Sequence, residues 1–529
     1  MKYILLNVFL IILYTYYIQK MKHGFHILQL ESYRNERYKG WINKNKNQIL
    51  KTRELLLFLP IILIIVNEIV ALVMAIIIGI LLYISRQIYK EKKPLVVTKR
   101  IKRMFITATL IFVILSILVN IFVGVTIINN IVTKCGLLLV LLSINLTTIF
   151  TIYVVMIVNK INLPIENGIN KKFYNSAKEK LNQMPNLQVI GITGSYGKTS
   201  TKYILKTILE QKYNVLMTPE SFNTTMGVVR TINEKLNSMH QIFVCEMGAK
   251  NIGDIKEICD LVNPKYGVLT AIGPQHLETF KTIENVRKTK MELVDAINNK
   301  AFVNYEDTNI KETKIEKQNV KYGMSEECDV YAYNMKITED GAVFDVHTTD
   351  EEITEIKTKL LGEHNIVNIV AAISVAKELG LSKEQIKTGI RFLKPIPHRL
   401  ELKRNPNGLT IIDDAYNSNI QGAQKALETL KLFNEKNRIL VTPGIVDLGE
   451  YAEEYNTKLG EKAAECSDFV ILVGEKQAKP IYTGLKNKNY PENKIFIAKD
   501  LQEAIKKWGE FPIKETVILL ENDLPDNYL

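Results

Sequence analysis

VIGITGSYGKTSTK, residues 189–202, is the stretch whose reading decides the fold of this chain. An apolar strand (Leu187, Val189, Ile190, Ile192) enters a loop of small residues, and Tyr203, Ile204, Ile208 and Leu209 continue at helical spacing. Gly194 and Gly197 let the backbone turn its N–H groups toward an anion, to which the following helix N-terminus adds its dipole. Ser195 and Ser200 belong to the same loop and first turn. Lys198 is placed to reach phosphates and the Thr199 hydroxyl to ligate Mg2+. Ile192 stands where the strict phosphate-loop pattern has its first glycine, so only the core GSYGKTS is met. A glycine turn with an incidental lysine is the competing reading, and the downstream strand ends weigh against it.

Beyond this loop, apolar strands alternate with amphipathic helices: 188–192, 215–218, 242–246, 267–270 and 301–304. That alternation predicts a doubly wound parallel sheet, whose function gathers beyond the C-terminal strand ends. Those ends read TPESFNTTMG (218–227), EMGA (246–249) and TAIGPQHLE (270–278). Glu246 is a carboxylate poised for Mg2+, His276 closes another strand-end loop, and Lys290 lies on the helix after it. After PIPHR (395–399) the pattern resumes at 409–414, 438–443, 469–473, 494–498 and 516–520, a second, Rossmann-like α/β domain.

Upstream, the first ~160 residues hold nearly all the long apolar runs. Ile4–Ile18 reads as one membrane helix followed by a basic loop, Gln19–Glu54, cytoplasmic by the positive-inside rule. Leu55–Ser85 is too long for one span and sits between two basic loops. It is therefore expected to be a hairpin turning at Asn67-Glu68. Phe105–Ile128 and Gly136–Val158 make a second hairpin, giving about five spans with everything after Lys160 cytoplasmic. The expected organisation is a transmembrane region over 1–160, a linker over 161–186, a central ATP-binding domain over 187–393 and a C-terminal domain over 394–529. The net charge of +12 sits largely beside the apolar runs, which points to anionic lipid and to no nucleic-acid partner. Five scattered cysteines with no CxxC pair exclude a zinc ribbon and a disulfide framework.

At this point the chain resembles the Mur ligases, the ATP-dependent amide-forming family of peptidoglycan synthesis. It is most similar to the MurF branch, which adds D-alanyl-D-alanine to a UDP-muramoyl tripeptide. The residues that carry the resemblance are GITGSYGKTSTK, TPESFNTTMGV, CEMGAKNIGDI, LTAIGPQHLETF with VRKTKMEL, GEHNIVNIVAA, PHRLE and IIDDAYNSN, over roughly 189–474. The resemblance implies ATP and Mg2+ as cofactors, with Lys198 and Thr199 on the phosphates and metal and Glu246 sharing the metal. It places His276 on a second Mg2+ and Lys290 as a carbamylated lysine. It puts Asn365 and Asn368 on the adenine, and brings Arg399 and Asp414 from the C-terminal domain to the phosphates and ribose. The implied partners are a muramoyl-peptide carboxylate, an amine acceptor, the membrane and other cell-wall enzymes.

Two departures stand out. Membrane spans replace the soluble domain that grips a UDP-sugar, and LLENDLPDN (519–527) replaces a KGSR-like turn. A basic aromatic loop with Tyr33, Arg34, Arg37, Tyr38 and Trp41 is a candidate for that grip; a solvated loop that only fixes topology is the alternative. Two functional alternatives also stay open: a ligase of the same family serving a poly-γ-glutamyl or capsule polymer, and a nucleotide-gated transporter or sensor.

Overall fold

The computed structural model describes residues 2–45, 52–86, 94–128, 138, 141–142, 145–146, 149–220, 222–415, 419–446 and 448–523. It divides into two compact units, one running to Asn170 and one covering Lys171–Asp523.

The first unit is helical. Helices Lys2–Leu30, Asn35–Lys44, Glu68–Arg86 and Lys99–Ile128 precede a long helix, Thr151–Asn182, whose later turns belong to the second unit. Among the described residues three helices are long and apolar enough to cross a membrane: Ile4–Leu30, Glu68–Ser85 and Lys99–Leu118. The expected turn at Asn67 is present, its Oδ1 accepting from the N–H groups of Ile69 and Val70 at 2.9 and 3.3 Å. The limb before it, however, is only a 7-residue 3-10 helix and a 5-residue α-helix. That falls short of the ~20 residues one crossing takes. Much of the expected span Gly136–Val158 lies outside the described residues.

Three expectations are corrected here. The first helix does not end at Ile18 but runs through Lys20 to Leu30. Lys20 is fully buried and neutralised by Glu54 at 2.9 Å, so its charge does not mark a loop. Tyr38 and Trp41 are buried in the helical core and stack on each other, so they do not present a nucleotide-gripping face. The linker stretch, expected to carry a short helical pattern around Phe173, Ala177 and Leu181, is helical through those residues to Asn182. Its helix is longer than expected, running continuously through Pro164 from Thr151.

The second unit holds two sheets. In the first, β1 (Gln188–Thr193), β2 (Val215–Met217), β3 (Ile242–Glu246), β4 (Tyr266–Leu269), β5 (Lys300–Asn304) and β6 (Asn319–Gly323) are parallel. An antiparallel meander of β7 (Val330–Thr338), β8 (Gly341–His347) and β9 (Glu352–Thr358) extends it. The order is β2-β3-β1-β4-β5-β6-β7-β8-β9, so the meander is an addition to the expected parallel sheet. Alternate residues feed opposite faces: Ile190, Ile192, Ile242 and Val244 enter one core, Val189, Phe243 and Cys245 the other. The joining helix, Glu363–Glu378, is buried nearly all round, which its unbroken apolar run IVAAISVA dictates. The four described cysteines are free and buried.

The second sheet comprises β10 (Glu401–Arg404), β11 (Thr410–Asp414), β12 (Asn437–Thr442), β13 (Phe469–Val473), β14 (Ile495–Ala498) and β15 (Thr516–Glu521). Its order is β10-β11-β15-β12-β13-β14, parallel except for the β10 edge.

Candidate functional site

In the first sheet the strand order reverses at β1, which lies between β3 and β4, and the loop leaving β1 opens the site. Gly194 is required there, because a Cβ would stand 2.1 Å from Thr270 Oγ1 and 2.8 Å from the Ala271 nitrogen. Gly197, at φ 80, caps the helix Lys198–Leu209. The first intrahelical bond is Thr201 N–H to Gly197 O at 2.8 Å, which leaves the N–H groups of Lys198, Thr199 and Ser200 ahead of the helical ladder. Three such donors and a helix dipole make an anion cradle. Lys198 Nζ lies over it, donating to Gly194 O at 2.6 Å and Ser195 O at 3.2 Å.

Ser195 is bound up with the loop after β4. Its N–H donates to Ala271 O at 2.8 Å, and its hydroxyl both donates to Gly273 O and accepts from Gly273 N–H. Tyr196 repeats the theme through Asp307, to which its hydroxyl donates at 2.9 Å while Ile272 N–H donates to the same oxygen at 3.1 Å. The phosphate loop and the loop carrying His276 are thus tied together at two points. Ser195 acts as a brace in this arrangement, and its side chain does not face an anion.

At the end of β3, Glu246 is buried. Its Oε1 accepts from Thr199 Oγ1 at 3.1 Å and Asn223 Nδ2 at 3.0 Å, and its Oε2 pairs with Lys202 Nζ at 3.0 Å. Burial alone would raise this carboxyl, but Lys202, Lys198 and the Asn223 amide outweigh it and hold it below its ordinary value. Lys290 is buried on the helix Ile283–Ala296. Burial, then the neighbouring Lys198, push it well below the ordinary lysine value, so it favours the neutral amine. Burial, with Arg399 adding to it, takes Lys198 down to about 8. Two lysines, Lys198 and Lys202, act on the one Glu246 carboxylate and leave the site short of negative charge, which fits polyphosphate. The Thr199–Glu246 pair fits a magnesium ion beside it, and a carbamate on Lys290 would add a further oxygen ligand.

Other sequence-predicted residues fall differently. His276 does close the strand-end loop, in the left-handed region at φ 52, its carbonyl accepting from Thr279 and Phe280 N–H. Among the described residues, the group of histidine and carboxylate side chains close enough to share an ion is elsewhere: His398, Glu401 and Asp413. Asn365 and Asn368 are both buried, and their amides are used internally. Asn365 Nδ2 donates to Leu361 O at 2.8 Å, Asn368 Nδ2 to Asn365 Oδ1 at 3.3 Å, and Thr201 Oγ1 to Asn368 Oδ1 at 3.1 Å. Asn368 therefore buttresses the phosphate-loop helix. Arg399 carries its charge close enough to oppose that of Lys198 and to favour ionised Asp414. Burial raises Asp414 to about 6 despite that help and a hydrogen bond with Glu521.

Sequence reading passed over Lys202, Asn223, Tyr196 and Asp307. Lys202 had a signal: it stands four residues after Lys198, one helical turn along the same face. The others have no local signature, since their partners come from other loops.

Residues 192–376 match the family model described as the Mur ligase middle domain, and residues 398–520 match that of the Mur ligase, glutamate ligase domain, together more than half of the chain. Among curated relatives, the UDP-N-acetylmuramoyl-tripeptide–D-alanyl-D-alanine ligase of Bacillus subtilis is 29% identical over 275 residues, which is 52% of this chain. The match takes in 59% of that relative's own length, less than two thirds. The Escherichia coli ligase of the same name is 29% identical over 56% of this chain and 66% of its own. Among solved structures, MurF from Acinetobacter baumannii superposes with a TM-score of 0.61 at 26% identity, covering 68% of this chain and 78% of its own. MurF from Thermotoga maritima, solved in complex with ADP, gives 0.60 at 28% identity, covering 67% and 80%.

Proposed function

The chain belongs to the Mur ligase family, and from that premise we propose that it is an ATP-dependent, ADP-forming peptide ligase of cell-wall precursor synthesis. The substrates proposed are a muramoyl tripeptide, whose carboxylate is activated, and D-alanyl-D-alanine, whose amine attacks. The observation that carries this reading is the phosphate cradle at Gly194–Ser200 beside a buried Glu246 held ionised by Lys202 and Lys198.

A carboxylate oxygen is a poor leaving group, so amide formation needs it phosphorylated first. ATP, as co-substrate, delivers its γ-phosphoryl group to the substrate carboxylate, giving an acyl phosphate and ADP. The attacking amine then expels phosphate from a tetrahedral intermediate. In that sequence the N–H groups of Lys198, Thr199 and Ser200 hold the phosphate chain. Lys198 and Arg399 neutralise charge gathering on the transferring group. Asp414 orients the nucleotide from the second sheet. Thr199 and Glu246 would hold one Mg2+, and His276 with a carbamylated Lys290 would hold a second, ions that would add to the neutralisation of the phosphate oxygens. Asn365 and Asn368 shape the wall on which the adenine rests, through backbone placement and packing.

The finer reading adds a membrane. The helix Glu68–Arg86 exposes Val70, Val73, Ile77, Leu81 and Ile84, an apolar stripe suited to lipid. Two buried carboxylates of the helical unit are paired, Glu54 with Lys20 and Glu166 with Arg103. These features support a multi-pass protein of the inner membrane with its ligase domains in the cytoplasm. The test is to incubate the detergent-purified protein with ATP, UDP-muramoyl tripeptide and D-alanyl-D-alanine. Mass spectrometry should find the pentapeptide; ATP hydrolysis without any amine acceptor would instead favour a nucleotide-driven membrane device.

A further inference from the structure

Arg399 stands between two residues held in the left-handed region, His398 at φ 57 and Leu400 at φ 46. A bulky leucine is a genuine outlier there, and such strained backbone persists only where its surroundings over-determine it. Here they do. Nδ1 of His398 meets Asp413 Oδ2 at 2.8 Å, and the His398 N–H donates to Glu401 Oε2 at 3.2 Å. The Arg399 N–H donates to Ile396 O at 3.1 Å, and the Leu400 N–H to Asp414 Oδ1 at 3.2 Å. Two adjacent carboxylates at the end of β11 therefore hold one strained residue each. Asp413 is pinned in turn by Lys403 Nζ at 2.5 Å, which also reaches Glu401 at 3.1 Å. His398, Glu401 and Asp413 bring ligand-type atoms within 4.8 Å of one another, and the Lys403 ammonium supplies the positive charge that such a group calls for.

We infer that the His398–Asp413 pair is a latch that fixes the direction in which Arg399 is presented, which makes His398 a positioning residue. The histidine side chain is 52% exposed and its carboxylate partner 8%, so the fixed end of the latch is in the sheet and the adjustable end on the turn. Rigidity of the PIPHR turn thus comes from side chains that grip a strained backbone as well as from Pro395 and Pro397. The inference rests on the proposed role of Arg399 at the phosphoryl group, and the experiment separates the two.

ADP formation by the full chain is measured for Arg399→Ala, His398→Ala, the double variant and His398→Asn. Arg399→Ala is expected to lower kcat about 100-fold or more, and His398→Ala about 10-fold with the KM for ATP little changed. The double variant is expected to be no slower than Arg399→Ala, because both remove one function. Asparagine tolerates the left-handed region and can donate to Asp413, so His398→Asn should recover most of the rate. A wild-type rate for Arg399→Ala would sink the role of Arg399 and the latch with it. Normal kcat in His398→Ala, or losses that multiply in the double variant, would overturn the latch alone. Should His398→Ala fail to fold, Leu400→Gly loosens the same turn without touching the pair; unchanged kcat there overturns the latch, and a several-fold loss with unaltered Tm supports it.

Discussion

Lys198 Nζ donates to the carbonyl oxygen of Gly194, four residues earlier, at 2.6 Å, so the lysine of the phosphate loop rests on the backbone of its own loop. The role proposed for Lys198 has its ammonium exchange these carbonyl oxygens for phosphate oxygens when nucleotide binds. Lys198→Ala should therefore abolish ADP formation while leaving the fold intact. Turnover close to wild type would remove the nucleotide reading; circular dichroism and thermal unfolding check the fold.

Lys290 is buried and held toward its neutral form by that burial and by Lys198. A neutral amine is the form that combines with CO2, and the resulting carbamate is anionic. Lys290→Ala is expected to lose nearly all turnover and to regain part of it with a short-chain carboxylic acid. Full activity without additive would remove the assignment of Lys290 to the site.

The Lys202–Glu246 pair is buried at 3.0 Å. Removing one partner of a buried pair costs about 3–5 kcal/mol, because the other charge is left uncompensated. Lys202→Met should show that loss in urea unfolding. A variant with unchanged stability would show that Glu246 does not depend on this lysine.

Asp414 titrates at about 6 in the fold against 3.8 for the free group, through burial first. A raised carboxyl binds its proton more tightly folded than unfolded, so its contribution to stability is fully present below 3.8 and lost as pH rises through 6. Asp414→Asn removes that loss. The Tm of the variant relative to wild type should therefore rise between pH 4 and pH 7, a window taken from these two values. A constant difference across that range would show that Asp414 is not the group responsible.

The second compact unit begins at Lys171. Within it Tyr174, Ala177 and Leu181 pack on the central core, and Lys180 Nζ donates to Ile232 O at 3.0 Å. A truncated chain starting at Lys171 should fold and bind ATP but lose most ligase activity, if the helical unit brings substrate to the site. Equal activity on soluble UDP-muramoyl tripeptide would make that unit an anchor only.

The central sheet was legible because its strands are short apolar runs, three of which lead into residues suited to chemistry: Gly194 after β1, Glu246 at the end of β3 and Thr270 after β4. The meander β7–β9 ends in nothing chemical, and its alternation of buried and exposed residues was passed over. Lys20 was taken as a loop charge since its partner Glu54 lies 34 residues away, beyond any local pattern. The same limit hid the amide bonds of Asn365 and Asn368. Their place on the joining helix could be read from the sequence, but what their side chains touch could not.

The position of β15 in the second sheet has a consequence for biosynthesis. The strand Thr516–Glu521 is inserted between β11 and β12, and Glu521 is the register partner of Asp414. As the chain leaves the ribosome, β10–β11 and β12–β13–β14 can form only as separate flaps, each with an open edge that β15 must later fill. Asp414 has no cross-strand acid partner, and the sheet no middle, until that strand emerges. A nascent chain interrupted between Ala498 and Thr516 would present two open edges and no complete half-site. Quality control could recognise such a product by exposed backbone alone, and nucleotide turnover would be withheld until translation had passed this strand.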